Sequence, residues 1–268
     1  VVLSPVAVCE TCLAGVGSGA DHAIQCTRCG DALAPESARF AAAMGVTECT
    51  LCRLAPPEFS KAVAFADYDA EMRELLHLLK FAGQRRIAEH LLGARLATAI
   101  LRLLPHTADD LLVLPVPIFA ARRHERGFNQ AELLASAALR RLRHTAPAWH
   151  LTLRADILLR VKDTRAFYRL DPAQRRRDLV GAFQIAPAQA AALQGREVLL
   201  IDDILTTGAT ARACARVLLR AGAAKVWVAT VAKAQPELTV QQQSGVALWT
   251  AAARTRVIEP DIGRQKSF

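Results

Sequence analysis

Two adjacent carboxylates, Asp202 and Asp203, stand in the stretch VLLIDDILTTGAT at 198–210, after four apolar residues and before a turn of small and hydroxylated residues. Burying charge at the end of an apolar strand is costly unless something compensates it. In an open parallel sheet, ligands bind beyond the carboxyl ends of the strands, so the pair is expected at a ligand-facing edge. The segment after it leads into a predicted helix at 210–221. A helix N-terminus offers unpaired N–H groups and a partial positive charge, which suit phosphate. Thr206, Thr207 and Thr210 add hydroxyls, and Gly208 lets the backbone approach a ligand closely. Carboxylates repel phosphate, but they accept hydrogen bonds from sugar hydroxyls and can sit near magnesium. The residue types therefore point to a phosphorylated sugar, with its 5-phosphate in the turn and its 2- and 3-hydroxyls on the acids. An acid pair that merely caps a helix is the plainer alternative.

A second constellation is built from cysteine. Cys9/Cys12, Cys26/Cys29 and Cys49/Cys52 are each C-x-x-C, and Cys214 stands alone. One C-x-x-C can place two thiolates on a tetrahedral zinc from a single tight knuckle, and two knuckles complete a structural site. Cys26, Cys29, Cys49 and Cys52 are assigned to one zinc. Cys9 and Cys12 are expected to form half of a second site whose other half would precede Val1. His22 is a further candidate ligand beside its plainer reading as a lone surface histidine. A disulfide framework or a thioredoxin-type redox pair are the competing readings; the first lacks a secretory signal and the second a surrounding βαβ pattern. Cys214 falls in the helical stretch ATARACARVLLRAG and reads as a small buried apolar residue.

The elements that position these groups follow from periodicity. The chain has 268 residues, 52% of them apolar, enough for one medium domain and a small appendage. The cysteine module is expected over 1–57, closed by the paired prolines of RLAPPEF. KAVAFADYD (61–69) reads as a strand. EMRELLHLLKFAG follows with Met72, Leu75, Leu76 and Leu79 at helical spacing. A long amphipathic helix is predicted over 85–104, a buried strand over DLLVLPVP (110–117) and another helix over 127–143. The arginine-rich 160–183 has no clean period and reads as a mobile loop. Strands are predicted at 197–203 and 225–233, on either side of the helix at 210–221. Strands alternating with helices make the fold α/β with a largely parallel sheet over 58–233, and 234–268 is a weakly patterned tail.

Charge narrows the partners. The formal net charge is +9, from 34 Lys plus Arg against 25 Asp plus Glu, which suits an anionic partner such as nucleic acid or a phosphorylated small molecule. A basic protein from an arginine-rich proteome is the bland reading. The cysteine module is itself acidic, with Arg28 and Arg39 against Glu10, Asp21, Asp31, Glu36 and Glu48, so the basic surface lies downstream. No apolar run reaches the roughly 18 residues of a membrane span. The opening VVLSPVAV has no basic leader, so the expected location is cytoplasmic.

VLLIDDILTTGAT resembles the phosphoribosyl pyrophosphate (PRPP) binding motif of type I phosphoribosyltransferases: apolar residues, two acids, two apolar residues, then T-T-G-x-T. LPVP followed by RRHERGFNQAELLA resembles the ComF family of ComFC-like and GntX-like proteins, and LKF at 79–81 fits as well. The resemblance spans about residues 9–233. It implies a type I phosphoribosyltransferase-like parallel sheet flanked by helices, with a small N-terminal zinc-ribbon module. It departs from the family at Phe167 and Asp178, which stand where Gln and Asn are usual.

What the resemblance implies is a magnesium-dependent transferase linked to competence and DNA uptake, with PRPP as ligand and single-stranded DNA or DNA-uptake proteins as further candidate partners. Pyrophosphate would leave C1 of the ribose as a nitrogen nucleophile arrives from the opposite face, and the protein would mainly position reactants and stabilise the departing anion. Asp202 and Asp203 would hold the ribose hydroxyls, and Thr206, Thr207, Gly208, Ala209 and Thr210 the 5-phosphate. Arg122, Arg123 and Arg126 are candidates for pyrophosphate, because arginine binds phosphate oxygens in a bidentate fashion; a solvated helix start is the alternative for this triplet. Lys80 is a weaker candidate, read first as an exposed lysine at a helix end. Arg126, Asn129 and Gln130 lie in the RGFNQ match, and Asn129 is also a candidate helix cap. The alternative function is non-catalytic binding of PRPP, a nucleotide or single-stranded DNA in natural transformation. Phe167 and Tyr168 among the arginines of 160–177 would then stack on bases.

Overall fold

The computed structural model describes residues 24–33, 38–39, 43–45, 47–81, 83–163, 174 and 177–235. Cys9, Cys12, His22, Phe167 and Tyr168 lie outside them, as does the tail beyond 235. The described residues end at Gln235, within one compact unit.

A five-stranded sheet in the order β1-β7-β6-β2-β3 organises the main unit, and all its pairings are parallel. Its strands are β1 (Lys61–Asp67), β2 (Asp110–Pro115), β3 (His150–Leu153), β6 (Glu197–Leu205) and β7 (Lys225–Lys233). Two short strands, β4 (Leu158–Arg160) and β5 (Phe183–Ile185), pair antiparallel beside it. The central strands are nearly continuous runs of Leu, Val and Ile because both faces are covered. Leu111, Val113, Leu199, Ile201, Trp227 and Ala229 enter one core, while Leu112, Leu114, Val198, Leu200, Val226 and Val228 enter the other. That alternation is the two-residue period of a strand.

Helices supply the covers. The first core is closed by α2 (Ala70–Phe81), by α3 (Arg85–Ile87) with a π-helical turn (Ala88–Leu92) and α4 (Gly93–Leu101), and by α6 (Gln130–Thr145). The helix expected at 85–104 is thus interrupted by a wider turn. Met72, Leu75, Leu76 and Leu79 are all buried, as their spacing predicts. The second core is closed by α7 (Ala209–Arg220), with Cys214 fully buried on its inner face, and by β4 and β5. The short α1 (Thr50–Leu54) belongs to the cysteine module, and α5 (Ala120–Arg126) follows β2.

Three strands were not expected. β3 is a four-residue edge strand, HLTL, whose alternate residues face solvent. β4 and β5 bracket the arginine-rich segment, so its two ends at Arg160 and Phe183 are ordered strand rather than loop. β6 also runs two residues beyond 203, to Leu205. The acid pair therefore lies within the last residues of the strand, with Asp202 in register with Thr230 of β7.

Candidate functional site

Consecutive residues on a strand face opposite sides of the sheet. Asp203 continues the series of Leu199 and Ile201 toward α2, and Asp202 continues that of Val198 and Leu200 toward α7. Each acid thereby meets a different cation. Asp203 is buried and forms an ion pair with Lys80 of α2. Asp202 accepts the Asp203 amide N–H on Oδ1 at 2.9 Å and lies within the field of Arg160 at the end of β4. The two neighbouring acids are tolerated because the sheet separates them and a basic side chain approaches from each layer.

The electrostatics record this balance. Burial pushes the Asp202 carboxyl well above its ordinary value, and the adjacent Asp203 charge adds to the rise. Burial alone would depress the Lys80 ammonium, but the charges of Asp203 and then Asp202 outweigh it and raise its pKa. The Arg160 guanidinium is lowered, first by burial and then by the like charge of Arg122. Arg160 also lies over the Phe183 ring, 5.5 Å from its centroid.

A cavity of about 810 Å³ opens at this edge. Asp202, Asp203 and Thr210 form its floor, and Arg122 and Arg126 of α5 stand on one wall. Arg73, His77 and Lys80 of α2 line another, and Arg160 also borders it. Arg122 is held by Asp163 at 3.3 Å, and Arg126 donates to Gln130 Oε1 at 3.4 Å. Arg123 is not brought to this cavity; its side chain is 58% exposed and pairs with Glu132 at 3.3 Å. Asn129 caps α6, accepting the Ala131 N–H at 3.0 Å and donating to the Val116 carbonyl at 3.0 Å.

The turn after the acids has the form expected of an anion cradle. Gly208 adopts φ of 71°, the left-handed region that disfavours any side chain, and leads directly into α7. As the N-cap it supplies no side-chain acceptor, so the first-turn amides of α7 have no capping partner from that position. Thr206 and Thr207 are exposed, while Ala209 and Thr210 are half-buried. Thr206, Thr207, Gly208 and Ala209 border the strand end without lining the cavity itself.

Lys80, Arg160 and His77 carry much of the wall, and sequence reasoning underweighted or missed all three. Lys80 is not an exposed helix-end residue: its side chain is only 20% exposed. Arg73, His77 and Lys80 recur at the four- and three-residue spacing that aligns side chains along a helix, so the signal was present on α2. Arg160 had no such signal, because its place depends on the pairing of β4 with β5.

In the cysteine module, Cys26, Cys29, Cys49 and Cys52 bring their sulfurs within 4.8 Å of one another. A chain bend from Cys26 to Gly30, with φ of 75° at Gly30, forms the first knuckle; the second starts α1, where Cys49 Sγ accepts the Cys52 N–H at 3.4 Å. Cys29 Sγ and Cys49 Sγ are 3.7 Å apart. A tetrahedral zinc with Zn–S bonds of about 2.3 Å requires sulfur edges of about 3.8 Å, so the cluster fits such an ion. Crowding splits the proton affinities of these thiols. The hydrogen bond with Cys29 is the main cause lowering Cys26 to about 4, and its counterpart raises Cys29, while burial pushes Cys52 up to about 12. The cysteines among the described residues are free thiols.

A parallel sheet ending in an acid pair beside an open helix N-terminus is the architecture of a phosphoribosyltransferase-like protein, and residues 164–247 match the phosphoribosyl transferase domain. The DNA utilization protein YhgH of Escherichia coli O157:H7 is 33% identical over 182 residues, covering 67% of this chain and 75% of that protein. The YhgH protein of Salmonella typhimurium is 30% identical over 84% of this chain and 90% of its own length. Competence protein F of Haemophilus influenzae is 30% identical over 69% of this chain and 78% of its own. This chain belongs to the ComF family. Among solved structures, a hypoxanthine phosphoribosyltransferase from Staphylococcus aureus aligns with 57% of this chain and 73% of its own, with a TM-score of 0.31 and 16% identity. Among the described residues, no helix is long and apolar enough to cross a membrane.

Proposed function

We propose that this protein binds PRPP at the edge formed by β6 and α7 and transfers its phosphoribosyl group to a nitrogen acceptor, releasing pyrophosphate. The observation that carries this reading is the placing of Asp202 and Asp203 on the strand that leads, through Gly208, into an uncapped helix start. The acids, both on the floor of the same cavity, would hold the two ribose hydroxyls. Thr206, Thr207, Gly208, Ala209 and Thr210 would hold the 5-phosphate, because the free amides and partial positive charge of a helix start favour an anion. Arg122 and Arg126 would receive the pyrophosphate as it departs, and Lys80 and Arg160 would keep the floor neutral. Arg123 has no part in this cluster. Paired carboxylate oxygens suit Mg²⁺, which when bound would offset the charge of the pyrophosphate. Zn²⁺ would be held by Cys26, Cys29, Cys49 and Cys52 as a structural ion. We assign the cysteine module to 1–57 and the catalytic domain to 58–233. Cysteines held as metal ligands rather than disulfides would suit a reducing compartment such as the cytoplasm.

Calorimetry with PRPP and magnesium tests the site. The Asp202→Asn/Asp203→Asn protein should lose binding, and equal affinity in that double variant would remove the assignment. A screen of nitrogenous acceptors for pyrophosphate release then identifies the second substrate. A second reading, binding of single-stranded DNA without turnover, is favoured by the names of the relatives, DNA utilization protein and competence protein F. Steep loss of DNA affinity with rising salt, together with no pyrophosphate release, would support it.

A further inference from the structure

Among the described residues, the buried charged side chains are Asp203 and Lys233. Asp203 is accounted for by Lys80. Lys233 is the last residue of β7 and takes no part in the site above. A buried ammonium is costly unless its charge is paired and its three protons are all used. Lys233 Nζ donates to the Thr206 carbonyl at 3.1 Å and the Ala234 carbonyl at 3.2 Å, and it forms an ion pair with Asp31. Its three acceptors come from three places: the phosphate turn, its own strand end and the cysteine module.

Asp31 extends the connection. It follows Cys29 by two residues, and its Oδ2 accepts the Cys29 thiol at 3.2 Å. A continuous polar chain thus runs from a cysteine of the metal cluster through Asp31 and Lys233 to the first residue of the 206–210 turn. The module is also fixed to the strand ends that frame this chain. Ala62 N–H donates to the Arg28 carbonyl at 2.7 Å. Gln235 accepts the Ala32 N–H at 2.9 Å and donates to Asp67 at 2.6 Å. These bonds hold the Cys26–Asp31 bend against β1 and the end of β7.

Metal binding acts on this chain at its first link. An ion shared by Cys26, Cys29, Cys49 and Cys52 would close the two knuckles on one another and so fix the bend from Cys26 to Asp31, whose far end presents the Asp31 carboxylate to Lys233. We propose that Lys233 is a positioning residue that ties the filled cysteine site to the Thr206 carbonyl, so that metal occupancy sets the shape of the 206–210 turn and its affinity for a ribose 5-phosphate ester. The affinity clause rests on the PRPP reading above; the link between metal and turn does not.

Two measurements separate these clauses. In hydrogen exchange of the full chain, chelating the metal should speed exchange of 206–211 by about tenfold, an ordinary size for coupled sites. The Lys233→Met protein should exchange rapidly there with its metal still bound, and chelation should add little. Protection of β6 upstream of Asp202 should be unchanged in all four states. In calorimetry, Lys233→Met should bind PRPP about tenfold more weakly while retaining its zinc, and chelated wild-type protein should fall to the same level. Exchange of the turn that is indifferent to Lys233→Met, or a chelation effect of equal size in both proteins, would overturn the proposal. If wild-type protein binds no PRPP, the ligand reading falls and the exchange result alone decides the link. Should Lys233→Met fail to fold by circular dichroism, Asp31→Ala carries the same comparisons from the other end of the ion pair.

Discussion

Replacing Lys80 by methionine should destabilise the protein without changing its shape. Methionine fills most of the volume of the lysine stem but leaves Asp203 without its cation. Breaking a buried ion pair by removing one partner costs about 3–5 kcal/mol. The Lys80 side chain is 20% exposed and that of Asp203 7%, so the pair is not fully dry and the lower figure of about 3 kcal/mol applies. For a domain of this size each kcal/mol moves Tm by about 2–4 °C, giving a fall of about 6–12 °C at pH 7.5. The sign of the pH dependence is fixed. Lys80 has a raised pKa, so its stabilisation is present through neutral pH and is lost as pH rises through the folded value, above about 10.4. Urea unfolding at pH 7.5, in a double-mutant cycle with Asp203→Asn, measures the loss. A loss below about 1 kcal/mol, or single effects that add to within about 0.5 kcal/mol, would refute the idea that this pair holds the floor together.

Three further outcomes are expected. Asp202→Asn should raise the Tm of the ligand-free protein at neutral pH, because the native carboxyl binds its proton more tightly than the unfolded one and wild-type stability falls as pH rises above about 4; the gain should vanish in acid, and thermal melts across pH check it. Gly208→Ala should lose about 1–2 kcal/mol to left-handed strain and weaken PRPP binding by about tenfold or more, read by melting and calorimetry. Gly93→Ala should destabilise by about 1–3 kcal/mol, because a new methyl group would stand 2.4 Å from Ala137 Cβ where α4 and α6 cross; urea unfolding measures it.

The elements legible in the sequence were those with strong local patterns. β2, β6 and β7 carry the apolar runs Leu111–Leu114, Val198–Ile201 and Val226–Ala229, and the stripe of Met72, Leu75, Leu76 and Leu79 marks the buried face of α2. The unread elements owe their form to distant partners. β3 is strand only because β2 offers an edge from Asp110 to Val113. β4 and β5 hold each other across a segment whose charges carry no period. The candidate site divides the same way. Its acids and its glycine turn stand in one contiguous motif, but their compensation comes from Lys80, far upstream on α2, and from Arg160 on a separate hairpin. Lys80 looked exposed because it ends its helix; the fold turns that end toward the sheet. The four cysteines were readable because each knuckle is local, whereas the ion pair of Asp31 with Lys233 spans most of the chain.

The hydrogen bond from Ala62 to the Arg28 carbonyl bears on how the protein can be cut. β1 pairs with β7 on one side only, so its other side is a sheet border that could recruit a foreign strand. The cysteine module sits against that border. Expression of the α/β portion alone, started after the paired prolines, would uncover it. Such a fragment should self-associate, as sedimentation against the full chain would show, and a monomeric fragment would refute a guarding role for the module.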